Sequence, residues 1–387
     1  MNESESLTPF PQAAGSAPEA TAPPPATAAK NEAAATSATP ITAGNPASIS
    51  PPAALLYRDA FVLDANAMPL CGEPFDMPER LAELRDSGIT AFKATLGGAD
   101  GDFEFAVAEI ASAQDLIDRH PGDFIKVVRH ADLARAKAEN KTAVIFSFEA
   151  ATMLEGKLER IDLFRKLGVL VMQLGYNHAT PFGCGCLDGE TAGVTDLGRA
   201  AIARMGELGI ALDLSHANTQ TTIDGIALST KPPVFTHTGC REVFMHPRNK
   251  RDQEMRALAE RGGVMGIYML PFLTPDVRQP LLADFMQHLL HALEVCGEDH
   301  VGIGTDIDIF SVGDAALQAM RDEADERLRT GVGAPGENRL PWIPDLNTPR
   351  KLERVADALL KRGYPARVAD KVLGRNFSRV FKEIWID

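Results

Sequence analysis

From Leu55 to the C-terminus one unit recurs: a short apolar or β-branched run, a polar turn, then a stretch with helical spacing. The runs fall at residues 61–64, 90–95, 142–148, 168–174, 209–214, 233–236, 263–268 and 301–305. Runs that are apolar throughout suit strands buried on both faces, the situation of a parallel sheet. The amphipathic stretches between them, such as 197–208 and 253–261, are long enough to be crossover helices. Thr195-Asp196 offers N-cap chemistry to the first of these, and Gly209 stops it. Eight such units predict an α/β fold, a TIM-like (β/α)8 barrel with insertions. A doubly wound sheet would need about five or six strands and a Gly-rich phosphate loop after the first. Asp64-Ala65-Asn66-Ala67-Met68 is no such loop.

Two segments stand outside the repeat. Residues 1–52 hold 14 Ala and 10 Pro with almost no aromatic or branched aliphatic side chains. Such a segment buries too little apolar surface to offset its ordering entropy, so it reads as a disordered tail ahead of a barrel domain at 53–387. Its first residues carry Glu3 and Glu5 but no basic residue and no apolar h-region follows, which leads us to expect a cytoplasmic protein. Residues 307–350 follow the last run and carry Gly331, Gly333, Pro335 and Gly336. An insertion there sits at the catalytic mouth of a barrel, as a lid or as a surface helix pair. The segment 374–380 reads as an outer helix without chemistry of its own.

Composition excludes several function classes. The formal charge of −14 argues against nucleic acid as a partner, because phosphate binding needs a basic patch. No run approaches the roughly 20 apolar residues of a membrane span. Five cysteines in 387 residues are no disulfide scaffold, and Cys184-Gly185-Cys186 reads as a Gly-rich turn with incidental thiols.

In a barrel the active site lies at the C-terminal ends of the strands. Here those positions are Asn66 and Met68, Lys93, Glu149, Tyr176 and Asn177, His216, His237, Tyr268, and Asp306 with Asp308. Two histidines, a glutamate and an aspartate thus converge on one mouth from otherwise apolar runs. That set suits zinc or a similar divalent metal, with Glu149, His216 and His237 as ligands. Each also has a plainer reading, since a histidine at a strand end is often only hydrogen-bonded and Glu149 could pair with a barrel Lys or Arg. The remaining histidines fall in turns, in helices or at the opposite rim, and read as solvated or structural.

Several of these segments together resemble the membrane (renal) dipeptidase family of zinc peptidases. They are Asp213-Leu214-Ser215-His216, Pro233-Val234-Phe235-Thr236-His237, His246-Pro247-Arg248-Asn249, Gly262-Gly263-Val264-Met265-Gly266 and the run from Asp299 to Asp308. Leu174-Gly175-Tyr176-Asn177 and Gly374-Arg375-Asn376-Phe377 fit as well. The resemblance implies a barrel with two zinc ions bridged by a glutamate and a hydroxide, hydrolysing dipeptides, and it leans towards a homodimer. It assigns Glu149 to the bridging glutamate and His216 and His237 to the second zinc. It makes Asp306 the acid/base carboxylate and Arg248 the anchor of the substrate's terminal carboxylate, a task suited to a bidentate fork. Tyr176 falls where many members carry a substrate-contacting histidine, and a phenol there can donate to a developing oxyanion.

The first run departs from the family. Where the resemblance implies a His-x-Asp pair binding the first zinc, this chain has Asn66-x-Met68. Asn is a weak oxygen donor for zinc and a thioether is a soft ligand. The expectation is therefore one zinc on Glu149, His216 and His237, a sufficient catalytic set with an open position. Two functions remain open: a metallo-dipeptidase acting on small peptide-like substrates, or a barrel of that family that has lost peptidase activity and binds or modifies such a substrate.

Overall fold

The computed structural model describes residues 48–67, 77–275 and 278–386. Among them are ten strands: β1 (Leu63–Ala67), β2 (Ala91–Leu96), β3 (Phe124–Lys126), β4 (Thr142–Phe148), β5 (Val169–Met172), β6 (Ala211–Leu212), β7 (Val234–Cys240), β8 (Asn249–Lys250), β9 (Val264–Ile267) and β10 (Val301–Ile303). One parallel sheet runs β1-β2-β4-β5-β6 and a second runs β10-β9-β7-β8. Single parallel bridges, Asp213 to Val234 and Ala67 to Ile307, join the two arcs into a nearly closed eight-stranded barrel. All eight expected runs supply a barrel strand. The additional β3 and β8 are two or three residues long, too short to show a period, and pair at the flanks of β4 and β7.

The crossover helices begin and end where capping chemistry says they should. Asp196–Leu208 starts after Thr195, whose Oγ1 accepts from the Gly198 amide at 3.0 Å, and ends at Gly209 in the left-handed region. A helix over Pro51–Asp59 begins inside the stretch that composition assigned to the tail. Proline is well tolerated in a first helical turn, and Ser50 N and Oγ both donate to Asp357 Oδ1 at 3.1 and 2.6 Å. The ordered part therefore reaches at least to Ser50. The rest of the expected tail, residues 1–47, lies outside the described residues.

The helix Asn376–Ile384 corrects the expectation of an outer helix. Phe377, Val380, Phe381 and Ile384 are buried with Leu63, Ala91, Ile145, Val171, Val234 and Val264 at the N-terminal end of the barrel. Asn376 Nδ2 donates to the Val301 and Glu298 carbonyls, both at 2.8 Å. Each buried phenylalanine contributes about 1.5–3 kcal/mol of apolar burial. The strands are thus plugged at one end, and the functional groups collect at the other.

The insertion after β10 forms one long helix, Asp314–Thr330, followed by irregular chain to the helix Lys351–Lys361. It lies across the mouth. Asn177 Nδ2 donates to the Val332 carbonyl at 2.9 Å, His178 Nε2 lies 3.0 Å from the Gly331 carbonyl, and His246 Nε2 lies 2.7 Å from that of Pro335. The lid reading of 307–350 thereby describes its position, and no helix pair forms.

Candidate metal centre

Glu149 directly follows β4, His237 stands in the middle of β7, and His216 follows β6. One ligand atom from each lies within 4.8 Å of the other two, and all three residues are buried. His216 Nε2 is 3.8 Å from Glu149 Oε2, and His237 Nε2 is 3.7 Å from Glu149 Oε1. The two Nε2 atoms face each other at 3.0 Å.

The partners of the other ring nitrogens fix what those Nε2 atoms carry. Asp213, 1% exposed, accepts from the amides of Ser215 and Thr236 (3.0 and 3.1 Å), from both their hydroxyls (2.5 Å each) and from Gln173 Nε2 (3.1 Å). With its proton on Asp213, the Thr236 hydroxyl accepts from His237 Nδ1 at 2.9 Å. His216 Nδ1 likewise reaches Asn177 Oδ1, an acceptor, at 2.9 Å. Both imidazoles therefore hold their proton on Nδ1 and turn Nε2 lone pairs towards each other, an assignment that follows from the network. Burial, and then the charge of Arg248, pushes both rings well below the ordinary histidine range, so they are neutral. Two lone pairs face to face repel unless a cation lies between them. With a nearby carboxylate this is the donor set of a divalent site, and the residues fit zinc, whose neutral histidine ligands are oriented by such outer partners.

Close backbone approach makes the arrangement possible. A Cβ at Gly266 would overlap the Thr236 carbonyl, and one at Gly185 would overlap the Asn177 main chain that sets the His216 partner.

Asn66 in β1 does not act as a ligand in this geometry. Its Nδ2 donates to Glu149 Oε1 at 2.7 Å and to Asp306 Oδ1 at 2.6 Å, tying the two carboxylates together. Met68 lies outside the described residues. Asp306 sits three residues beyond β10 at φ +57°, a left-handed conformation that aspartate tolerates better than most. Its amide donates to the Asn66 carbonyl at 2.7 Å, and its Oδ2 lies 3.9 Å from His237 Nε2. Burial, followed by repulsion from Glu149, holds its carboxyl well above the usual carboxylate range.

Tyr176 stacks on the His216 ring, with centroids 4.0 Å apart, and its hydroxyl accepts from Arg327 Nη2 at 3.0 Å. It borders a cavity of about 170 Å³ together with Phe272, Asp306, Asp308, Arg327 and Arg339. Arg248 is fully buried beneath the mouth, with Nη1 donating to the Ser215 carbonyl at 2.6 Å and its guanidinium 5.8 Å from the Tyr268 ring. It is absent from that cavity's wall. Lys93 and Thr95, on the barrel-facing side of β2, reach Glu149: Lys93 Nζ is 3.8 Å from Oε1, and Thr95 Oγ1 is 2.8 Å from it. The plainer reading of Glu149 as partner of a barrel lysine is thus met by the geometry.

Sequence reasoning named Lys93 and Asn177 only as strand-end residues and missed Thr95, Asp213 and Arg327 as parts of the centre. Asp213 had a local signal, an aspartate two residues before a serine in Asp213-Leu214-Ser215-His216, the pattern of an Asx turn. Arg327 had none. Two of the other histidines are tied to the main chain: His288 bridges the Cys240 amide and the Leu273 carbonyl, and His300 Nδ1 meets the Gly263 carbonyl. A second acidic cluster, Glu242, Asp252 and His291, lies nearer the surface, where His291 Nε2 is already paired with Asp252 at 2.6 Å.

A family model of membrane dipeptidases, peptidase family M19, matches residues 75–323. An uncharacterized protein in the pqqA 5′ region of Klebsiella pneumoniae is 27% identical over 288 residues, 72% of this chain and 95% of that one. Dipeptidase tcpJ of Claviceps purpurea is 24% identical over 260 residues, and the match spans 65% of this chain and 53% of that relative. A crystal structure of an amidohydrolase from Pseudomonas aeruginosa is similar at a TM-score of 0.72 and 29% identity, covering 86% of this chain and 99% of that one. Among the described residues, no helix is long and apolar enough to cross a membrane.

Proposed function

Because this chain belongs to the membrane dipeptidase family, we propose that it is a zinc-dependent hydrolase of dipeptides, or of dipeptide-like amides with a free carboxylate, working with a single ion. The observation that carries this reading is the pair of Nε2 atoms facing each other 3.0 Å apart beside the Glu149 carboxylate. Glu149, His216 and His237 would hold the ion, and when bound it would supply a Lewis acid and a water acidic enough to act at neutral pH.

The remaining steps fall to the chain's own side chains. Asp306 Oδ1 is engaged by Asn66, so the proton of the attacking water is taken at Oδ2 and delivered from there to the leaving amine. A carboxyl whose affinity for protons is raised by burial is suited to that exchange. Tyr176 accepts its hydrogen bond from Arg327, which leaves its own O–H to donate to the carbonyl oxygen as charge develops. Arg248 is fully buried and absent from the cavity wall, so it anchors the terminal carboxylate, through the guanidinium N–H groups not given to main-chain carbonyls, only where substrate binding uncovers it. The insertion at 307–350 covers the mouth and limits the substrate to something small.

Metal analysis of the full chain, combined with a panel of dipeptides and their C-terminal amides, tests the reading. Hydrolysis of free-acid dipeptides that is lost on chelation, restored by zinc and absent in His237→Ala is expected. A chain that binds no divalent ion and cleaves none of the panel would refute it and favour the binding role.

A further inference from the structure

We propose that Lys93, acting with Asn66 and Thr95, is a built-in cation that occupies one side of Glu149 and confines this centre to a single divalent ion. The inference rests on the metallohydrolase reading above and adds the group that sets the ion count.

Lys93 is an unusual residue for its place. It belongs to β2, a strand buried almost throughout, and its side chain has no solvent exposure. Paired positions on β2 and β4 put it opposite Ile145, with Ala91 and Ala143 one layer below. An ammonium is seldom fully buried without an anionic partner. Its hydrogen bonds go to neutral hydroxyls, Ser147 Oγ at 2.9 Å and Thr95 Oγ1 at 3.3 Å. Glu149 Oε1, 3.8 Å away, supplies the negative charge.

The two oxygens of Glu149 are consequently unlike. Oε1 accepts from Asn66 Nδ2 at 2.7 Å and lies 2.8 Å from Thr95 Oγ1, whose one proton it shares with Asn66 Oδ1 at 3.0 Å, with the Lys93 ammonium behind them. Oε2 meets none of these donors and faces His216 Nε2 at 3.8 Å, whereas Oε1, 3.7 Å from His237 Nε2, carries all of them. A carboxylate that bridges two cations must offer an oxygen to each, and here one is already surrounded by two hydrogen-bond donors and a positive charge. A second divalent ion on that side would have to displace the Asn66 amide and lie against an ammonium in a buried, weakly screened place. Asn66 itself links Glu149 to Asp306 by donating to both, holding the two carboxylates together as a shared cation would. The amide orientation is fixed by its partners, since turning it over would set its oxygen against two carboxylates.

Zinc content by mass spectrometry, and zinc titration by calorimetry in a competing chelator, are measured on the full-length wild type, Lys93→Met and Asn66→Asp/Lys93→Met. The wild type is expected to saturate at one ion per chain and the double variant at two. In Lys93→Met the first ion is expected to bind at least tenfold more tightly, because the fixed positive charge is gone while Asn66 and Thr95 still orient Glu149. Two ions per wild-type chain would overturn the proposal, as would a folded double variant that stops at one. If the double variant does not fold, the single variant decides: unchanged or weaker affinity overturns the proposal. No ion in the wild type would instead defeat the metallohydrolase reading itself, so the two failures are distinct.

Discussion

Replacing Asp213 by asparagine tests whether one buried carboxylate governs the protonation of both histidines. Five donors converge on it in the native chain, three on Oδ1 and two on Oδ2. Asparagine keeps an oxygen for the first three and presents an N–H to the Thr236 hydroxyl and to Gln173. Donor then faces donor. The simplest relief is rotation of the Thr236 hydroxyl, which accepts from the introduced amide and gives its own proton to His237 Nδ1, 2.9 Å away. His237 must then carry its proton on Nε2, the atom that faces His216 and would bind the ion. Losing a hydrogen bond to a charged acceptor costs about 1.5–3 kcal/mol. At roughly 1.4 kcal/mol per decade, that corresponds to about 10- to 100-fold in affinity, the range seen when an outer partner of a metal-binding histidine is disturbed. Zinc titration at pH 7 should therefore show Kd raised by about one to two decades. Thermal unfolding of the metal-free variant should fall by no more than a few degrees, and Thr236→Ser, which keeps the relay, should bind as the wild type does. A folded Asp213→Asn protein with zinc affinity within threefold of wild type would refute the relay.

Burial pushes His288 down to about 4, against about 6.5 in the unfolded chain, so its contribution to stability is complete above pH 6.5 and lost as pH falls from there towards 4. At pH 5 the loss is about 2 kcal/mol, and denaturant unfolding of the metal-free His288→Asn protein should weaken between pH 7 and pH 5 by about that much less than the wild type; equal slopes would contradict a neutral His288. Asp64, raised to about 6 by burial, works in the opposite direction but is common to both chains and cancels in the comparison. Arg248→Lys should raise KM for free-acid dipeptides by about tenfold or more while sparing their C-terminal amides, since lysine cannot form the bidentate fork. Arg327→Gln should lower kcat/KM for acids and amides alike by loosening Tyr176; if it abolishes the preference for acids instead, the carboxylate anchor is Arg327.

How much was legible in advance follows from the range over which each signal acts. Strand runs, the Thr195 cap and the Gly209 stop are local patterns; the structure reproduces the cap and the stop at those residues and places a strand in each run, with ends that shift by up to four residues. The short β3 and β8 were invisible because two or three residues carry no period. The helix at Asn376–Ile384 was misplaced to the outside because an amphipathic pattern shows that a face is buried without showing against what. The insertion was located by its glycines and prolines, but its hold on Tyr176 through Arg327 spans 151 positions and has no local trace.

By itself, the order of residues determined the alternation of strands and helices, hence the barrel, and the strand ends that face its mouth, hence Glu149, His216, His237 and Asp306 as companions. Alternation has a fixed period, and a barrel turns period into direction. Only barrel closure decided that Asn66 donates to Glu149 and Asp306, 83 and 240 positions away, and that Asp213 reads out through Thr236 onto His237. Hydrogen bonds act over about 3 Å. Which donor comes that near which acceptor depends on how the strands are staggered around the ring, and no single strand contains that information.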